Sequence, residues 1–493
     1  IAAAGLITGN YSYISIDSAA ADSYLSAPAS TDVLKESAYV TWTPVSGADG
    51  YNVYCKPIGG SYVQLDSMLI RQYSGYFRAD AVGLKPGSYV MKVVPTADGK
   101  EDTSKAVESD AITVGSYDRS GFAFSKNSPN GGTGVGAYND DGTLKDDAIV
   151  LYLTEETKKT MKFDVKGSSG YVSCTGLVEI LDAYSDGYDS RPLNIRIIGK
   201  VTADGVVGAN SDTNNLNLKT NNTKRIVKNI TIEGIGDDAV CYGFGIRGLK
   251  IQSVEIRNIG IMLFGDDGIA FETANKNIWV HNNDIFYGTA GGDADQAKGD
   301  GSLDLKNDSQ YFTISYNHFW DSGKMSLCGM KSETGENWIT YHHNWFDHSD
   351  SRHPRIRTMS VHVYNNYYDG NAKYGVGAVL DADAFVEANY FRNCKYPMLI
   401  CGQGSDTGTF DDGVGAMIKS YGNYIEGAKS YITQNESSTS FDAYEVSSRN
   451  EKVPDSVKSL DGMGYNNFDT DSSIMYSYTA DAAADVPAIV MSE

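Results

Sequence analysis

The sequence predicts an all-β chain in which a small β-sandwich precedes a right-handed parallel β-helix. Three observations predict it. A short alternating segment ending in Asn recurs through the later part of the chain. Its tightest copies end at Asn344, Asn366 and Asn389, which are 22 and 23 residues apart. A period in the low twenties, built on strands with no helical pattern, means a solenoid of stacked strands. Glycines number 52 against 11 prolines, which suits many turns between strands.

Composition sets the outer limits. The 493 residues are 41% hydrophobic and 21% charged, so a sizeable core can form and global disorder is excluded. Lys and Arg total 41 against 63 Asp and Glu, a net charge of −22. That balance excludes nucleic acid or an anionic membrane as the main partner. No apolar run is long enough to span a bilayer. Six Cys are too few and too scattered for a disulfide framework, and none has metal-ligand spacing. Cys394 and Cys401 are near enough in sequence to pair, or to remain two buried thiols.

Taken in order, residues 1–31 form an N-terminal segment. Its small-residue opening, Ile1 to Gly9, reads either as the remnant of a trimmed secretion signal or as an ordinary first strand. Residues 32–114 read as the β-sandwich. Val40-Thr41-Trp42-Thr43-Pro44 and Tyr51-Asn52-Val53-Tyr54 alternate across a Gly/Asp turn. Leu84 and Tyr89 flank the turn Lys85-Pro86-Gly87, a spacing that suits a corner tyrosine tying loop to strand. This stretch resembles a fibronectin type III module. Exposed aromatics there could bind sugar, but a spacer is the reading adopted, since no catalytic cluster accompanies them.

Residues 115–453 carry the repeat. Ile278 to Asn283, Phe312 to Asn317, Ile339 to Asn344 and Val361 to Asn366 are the clear copies, and weaker ones end at Asn389 and Asn423. Leucine-rich repeats share the period but need a regular Leu consensus that is missing here, so the parallel β-helix is preferred. Asn tolerates the left-handed backbone of a sharp bend, and stacked Asn side chains can bond from coil to coil as a ladder. The Asn residues are therefore architecture. Residues 454–493 carry no assignable motif and are expected to wrap the cylinder as a tail.

The repeat also acts as a ruler. Asp267 lies 16 residues before Asn283, while Asp300 and Asp304 lie 17 and 13 before Asn317. Lys324 lies 20 before Asn344, and Arg352 and Arg357 lie 14 and 9 before Asn366. Each falls in one broad sector of its coil, and coils stack about 4.8 Å apart. Acids, a lysine and two arginines should thus line one side of the cylinder. Within the strand, Asp300, Ser302, Asp304 and Lys306 share a face while Leu303 and Leu305 point inward. In a straight strand Asp300 and Asp304 would lie roughly 13 Å apart, so both can touch one ion only if the chain bends at Gly299 or Gly301. Carboxylates converging without His or Cys favour a hard cation such as Ca2+. For any single acid a solvated surface charge is the plainer reading, but the matched positions of Asp266, Asp267, Asp300 and Asp304 favour a site. An ion-pair network remains open for Arg355.

The elements Asp300-Gly301-Ser302-Leu303-Asp304-Leu305-Lys306, Tyr341-His342-His343-Asn344 and Arg352-His353-Pro354-Arg355-Ile356-Arg357 resemble the pectate lyases of polysaccharide lyase family 1. The resemblance runs from about residue 118 to 430, and the Arg-x-Pro-x-x-Arg element follows two acids and a lysine in the family's order. It implies Ca2+ ligands at Asp267, Asp300 and Asp304, with Asp266 beside them. It implies Arg352 as the base, assisted by Lys324 and Arg357. Lys306, Arg355, Lys324 and Arg357 would bind uronate carboxylates. The implied reaction is β-elimination on α-1,4-polygalacturonate, giving 4,5-unsaturated ends. The partner is then polygalacturonate or pectin, and the setting an extracellular, bacterial monomer. Trp279-Val280-His281-Asn282-Asn283 departs from the family's Trp-x-Asp-His-Asn, which questions the surroundings of the first acidic coil.

Three rivals remain. Gly265-Asp266-Asp267 resembles the paired-Asp element of polygalacturonases, which are hydrolases, yet none of the seven His is followed by Gly as that family requires. Pectin lyase would act on methyl esters without Ca2+. A non-catalytic polysaccharide-binding β-helix would need no Arg352.

Overall fold

The computed structural model describes residues 24–208, 214–286, 300–330, 333–410 and 413–493. The opening nine residues, on which the secretion-remnant reading falls, lie outside them. Two compact units emerge, one holding 24–119 and 138–146, the other 120–137 and 147–493. The first therefore runs beyond residue 114 and reclaims a later loop. Arg119 pairs with the buried carboxylate of Glu36, and Tyr138 bridges to Leu144.

The first unit has two sheets, antiparallel apart from one parallel strand pair. One orders the strands Leu25–Ser26, Ser37–Trp42, Tyr76–Val82 and Ile70–Tyr73. The other is built around Gly87–Ala97, with Gly50–Pro57 on one side and Ile112–Gly115 on the other. Strand 37–42 alternates buried and half-buried residues, as its sequence predicts. Ala38, Val40 and Trp42 point inward against Val53, Met91 and Val93. Trp42 stacks on Phe77 at 5.7 Å. Tyr89 donates its hydroxyl to the carbonyl of Lys85 at 2.9 Å, the corner expected from the Leu84–Tyr89 spacing.

The second unit is a coil of parallel strands in three sheets, with eleven, nine and eight strands among the described residues. In the eleven-stranded sheet Val254, Ile278, Phe312, Ile339 and Val361 stand in one register column. All are fully buried, so stacked like side chains fill the interior. The outward column of the same sheet is also covered. Phe122, Ala123 and Ala137 donate backbone N–H groups to the hydroxyls of Thr340, Thr313 and Thr231. Tail residue Tyr476 bonds Thr340 at 2.9 Å, and Lys419 and Asp469 form a fully buried ion pair at 2.7 Å. The C-terminal helix Val486–Ser492 packs Val486 and Val490 against Tyr367, Trp345 and Tyr390 of the nine-stranded sheet.

The Asn ladder is present. Asn283 donates to Asn317 at 3.0 Å, Asn317 to Asn344 at 3.1 Å, Asn344 to Asn366 at 2.9 Å, Asn366 to Asn389 at 3.0 Å and Asn389 to Asn423 at 3.0 Å. One expectation is corrected. The left-handed residue is not the ladder Asn but the one before it: Asn282, Tyr316, His343, Asn365 and Ala388 have φ between 50° and 54°. The bend precedes the ladder residue, which turns its amide inward. Tyr, His and Ala tolerate the bend because the ladder bonds hold it.

Candidate active site

The eight-stranded sheet carries the charged residues. Strands Ile269–Thr273, Leu303–Leu305, Leu327–Cys328 and Arg355–Arg357 stack in order. Alternation turns Ile269, Phe271, Leu303, Leu305, Cys328 and Ile356 into the core. Asp304, Leu327 and Arg355 share the opposite face, since Ala270 pairs with Asp304 and Leu327 with Arg355. Lys324 bridges Gly301 on one coil and Ser351 on the next. Arg352 follows at a left-handed corner, φ 65°, with its carbonyl accepting the N–H of Ser326 at 2.8 Å.

The acids gather as the ruler indicates. Carboxylate oxygens of Asp266, Asp267 and Asp300 lie within 4.8 Å of one another. Asp304 stands beside this trio. It accepts the backbone N–H of Leu327 at 2.9 Å and lies 3.5 Å from the Lys306 ammonium. The chain bends where Gly301 permits it. A Cβ there would sit 2.4 Å from the Asp304 carboxylate, so glycine leaves room for that carboxylate against the backbone of residue 301. The other candidate bend, Gly299, lies outside the described residues. Gly301 also donates its N–H to Asp267 at 3.1 Å.

Electrostatics within the cluster are opposed. Burial, then the charge of Asp304, pushes Asp267 up to about 8 against the pull of Lys306. Burial likewise raises Asp304 and, with Asp300, Asp266. Burial would lower the Lys306 ammonium, but Asp304 and Asp267 outweigh it and hold it above the ordinary lysine value. Lys306 contacts Asp267 at 3.1 Å. Glu272, ion-paired with Arg247, adds negative charge beside it. A set of oxygen donors that raise one another's pKa fits a divalent hard cation, which would relieve their repulsion.

Across from the acids stand the arginines. Asp300, Asp304, Lys306, Arg352, Arg355 and Arg357 line one cavity of about 280 Å³. Burial lowers the Arg355 guanidinium, as do the like charges of Arg352 and Arg357. Lys324 is not on that wall. It lines an adjoining cavity of about 400 Å³ that Arg352 and Arg355 share. That second cavity also holds Lys373, Tyr374, Lys395, Tyr396 and Phe410, none of which the sequence reading singled out. A signal for Lys373 was there, because it lies 16 residues before Asn389, the offset of Asp267 from Asn283. Lys395 lies 28 before Asn423, beyond the ruler, because a loop lengthens its coil.

The divergent element Trp279 to Asn283 sits on the eleven-stranded sheet, a different face from the acids. Trp279 stacks on His281 at 3.6 Å, and His281 contacts Glu255 at 2.8 Å, so the departure alters packing there. All six cysteines are free and buried, Cys394 and Cys401 included. No helix among the described residues is long and apolar enough to cross a membrane.

Comparison with known proteins agrees with this architecture. A pectate trisaccharide-lyase of Bacillus licheniformis is 31% identical over 225 residues, which cover 45% of this chain and 62% of that protein. Pectate lyase 3 of Pectobacterium carotovorum is 36% identical over 196 residues, 38% of this chain and 52% of that one. The chain thus spans less than two thirds of the length of these relatives. The solved pectate lyase of Bacillus sp. N165, in complex with trigalacturonate, shares the fold with a TM-score of 0.50 at 24% identity. It covers 75% of this chain and 96% of its own. The pectate lyase family profile matches residues 107–478, and the chain belongs to that family.

Proposed function

We propose that this protein is a calcium-dependent pectate lyase, secreted by a bacterium and acting as a monomer, that cleaves α-1,4-polygalacturonate by β-elimination. One observation carries the reading: Asp300, buried Asp304 and three arginines line a single cavity. Family membership and relatives named as pectate lyases support it.

Asp266, Asp267, Asp300 and Asp304 would hold Ca2+. When bound, that cation would draw charge from the uronate carboxylate and acidify the neighbouring C5 proton. Arg357, Arg355, Lys306 and Lys324 bind the carboxylates and offset the negative charge that develops there. Arg352 takes the C5 proton. The electrons left at C5 form the C4–C5 double bond, the C4–O bond breaks, and the glycosidic oxygen leaves with a proton from water.

The density of cations favours the charged polymer over its methyl ester, because half-buried cations attract a carboxylate more strongly than a neutral ester. The N-terminal unit is read as a fibronectin type III-like spacer, supported by its two sheets and the Tyr89 corner. Mass spectrometry of digested oligogalacturonates tests the reading. Elimination gives one fragment a water lighter than its hydrolytic counterpart. Fragments carrying that water would transfer the site to a hydrolase, and intact oligomers would make it a binding protein.

A further inference from the structure

We propose that His353 is a positioning residue for the reaction: from beneath the wall of the site it fixes its neighbour Arg352 by clamping the backbone of Tyr374, whose ring stands beside Arg352 in the same cavity. The inference rests on the elimination reading above, with Arg352 as the base, and adds to it a residue too deeply buried to touch the polymer. The backbone supplies the first argument. Arg352 lines the cavity, while His353 is fully buried against Phe346 and Tyr368. Arg352 holds a left-handed φ of 65°, which a side-chain-bearing residue keeps only where its surroundings hold it there. The holding groups converge on the next residue. The N–H of His353 donates to the carbonyl of Gly375 at 2.8 Å, its carbonyl accepts the hydroxyl of Tyr368 at 2.6 Å, and its Nδ1 lies 2.7 Å from the carbonyl of Tyr374.

The imidazole supplies the second argument. A carbonyl only accepts, so Nδ1 carries the proton that Tyr374 receives. The side-chain amide of Asn371 donates to the carbonyls of Phe346 and Ser349 and faces Nε2 at 3.5 Å, so Nε2 is an acceptor and takes the hydroxyl proton of Ser349. His353 is therefore a neutral strut with both nitrogens engaged, and burial, which lowers its pKa to about 4, keeps it neutral at neutral and alkaline pH. Tyr374 closes the ring of contacts. Its own ring packs edge-on against Phe410 at 5.0 Å, and its hydroxyl meets the backbone and side chain of Arg352. Arg352 is thus gripped twice, along the chain by His353 and at the side chain by Tyr374. An arginine side chain has many rotamers, and holding it in one orientation before the polymer arrives removes that search from the reacting step.

The test is steady-state kinetics on polygalacturonate, read as unsaturated product, with Ca2+ affinity measured by calorimetry without polymer. Three variants are compared. His353→Leu removes the clamp, His353→Asn keeps an amide N–H where Nδ1–H stood, and Tyr374→Phe removes only the hydroxyl. The expected result for His353→Leu is a kcat about 10²-fold lower, with KM and Ca2+ affinity within about 2-fold of the parent protein. His353→Asn should recover about 10-fold of that loss, and Tyr374→Phe should lower kcat about 10-fold with KM kept. Parent-like kcat in His353→Leu or in Tyr374→Phe would overturn the inference, and the second variant decides should the first not fold. So would an Asn variant as slow as the Leu variant, or a parallel loss of kcat, substrate binding and Ca2+ binding, which marks a merely structural residue. Failure of the elimination reading is seen separately, as the absence of unsaturated product from unmodified protein.

Discussion

Lys306 occupies the hinge between the two halves of the site. Its ammonium lies 3.1 Å from Asp267 and 3.5 Å from Asp304, and it lines the cavity with Arg352 and Arg357. A cation that takes the Asp267 carboxylate competes with Lys306 for that oxygen. Lys306→Met should therefore tighten Ca2+ binding about 10-fold while raising KM for polygalacturonate, because one uronate contact is lost. Calorimetry without substrate reads the first effect and steady-state kinetics the second. Weaker Ca2+ binding in the variant would contradict the competition. These acids and cations were legible in the sequence because stacked coils convert a bounded offset from Asn, 9 to 20 residues, into one sector of the surface. Lys395 and Tyr396 were not, because the loop that follows lengthens their coil and breaks the count.

At the scale of the element, the ladder and its outer cover govern stability. The Asn344 amide accepts from the N–H and side chain of Asn317 and donates to Asn366 and to the carbonyl of Ile314. Asn344→Ala strands buried donors of Asn317, at a cost on the order of 3 kcal/mol. Its urea midpoint should fall accordingly, and an unchanged midpoint would mean that apolar stacking alone holds the coils. Asp383 marks the cover. Burial, chiefly, raises its carboxyl to about 7 from 3.8, although Asn466 donates an N–H to it at 3.0 Å. The folded state keeps this proton between those values while the unfolded chain releases it. Stability therefore falls as pH rises through that window, by at most about 1.4 kcal/mol per pH unit. Asp383→Asn keeps the acceptor for Asn466 and removes the charge. It should match the parent protein near pH 4 and exceed it near pH 8, in denaturant midpoints at the two pH values. The ladder itself was readable from the repeat. The left-handed corners were not, since Tyr316, His343 and Ala388 adopt them only under tertiary constraint.

For the whole molecule, an acidic chain carries a short cationic file on one face of its coiled unit. Screening leaves only charges within about 8 Å effective at physiological salt, so the local file and the bound cation, rather than the net −22, decide capture of a polyanion. The coils were legible because every one repeats the same ruler. The tail was expected to wrap the cylinder, but the seats of residues 120–137 and of the tail on the outer threonines were not legible, since neither segment carries the repeat. The account stands or falls on the union of acids, cation and Arg352 in one site. The most direct measurement is ultraviolet absorbance of the 4,5-unsaturated product from polygalacturonate with Ca2+, then with chelator, then with Arg352→Ala. The account predicts a rise that chelator abolishes and that Arg352→Ala reduces by about 10²-fold or more. A rise that survives both, or cleavage without the unsaturated product, would contradict it.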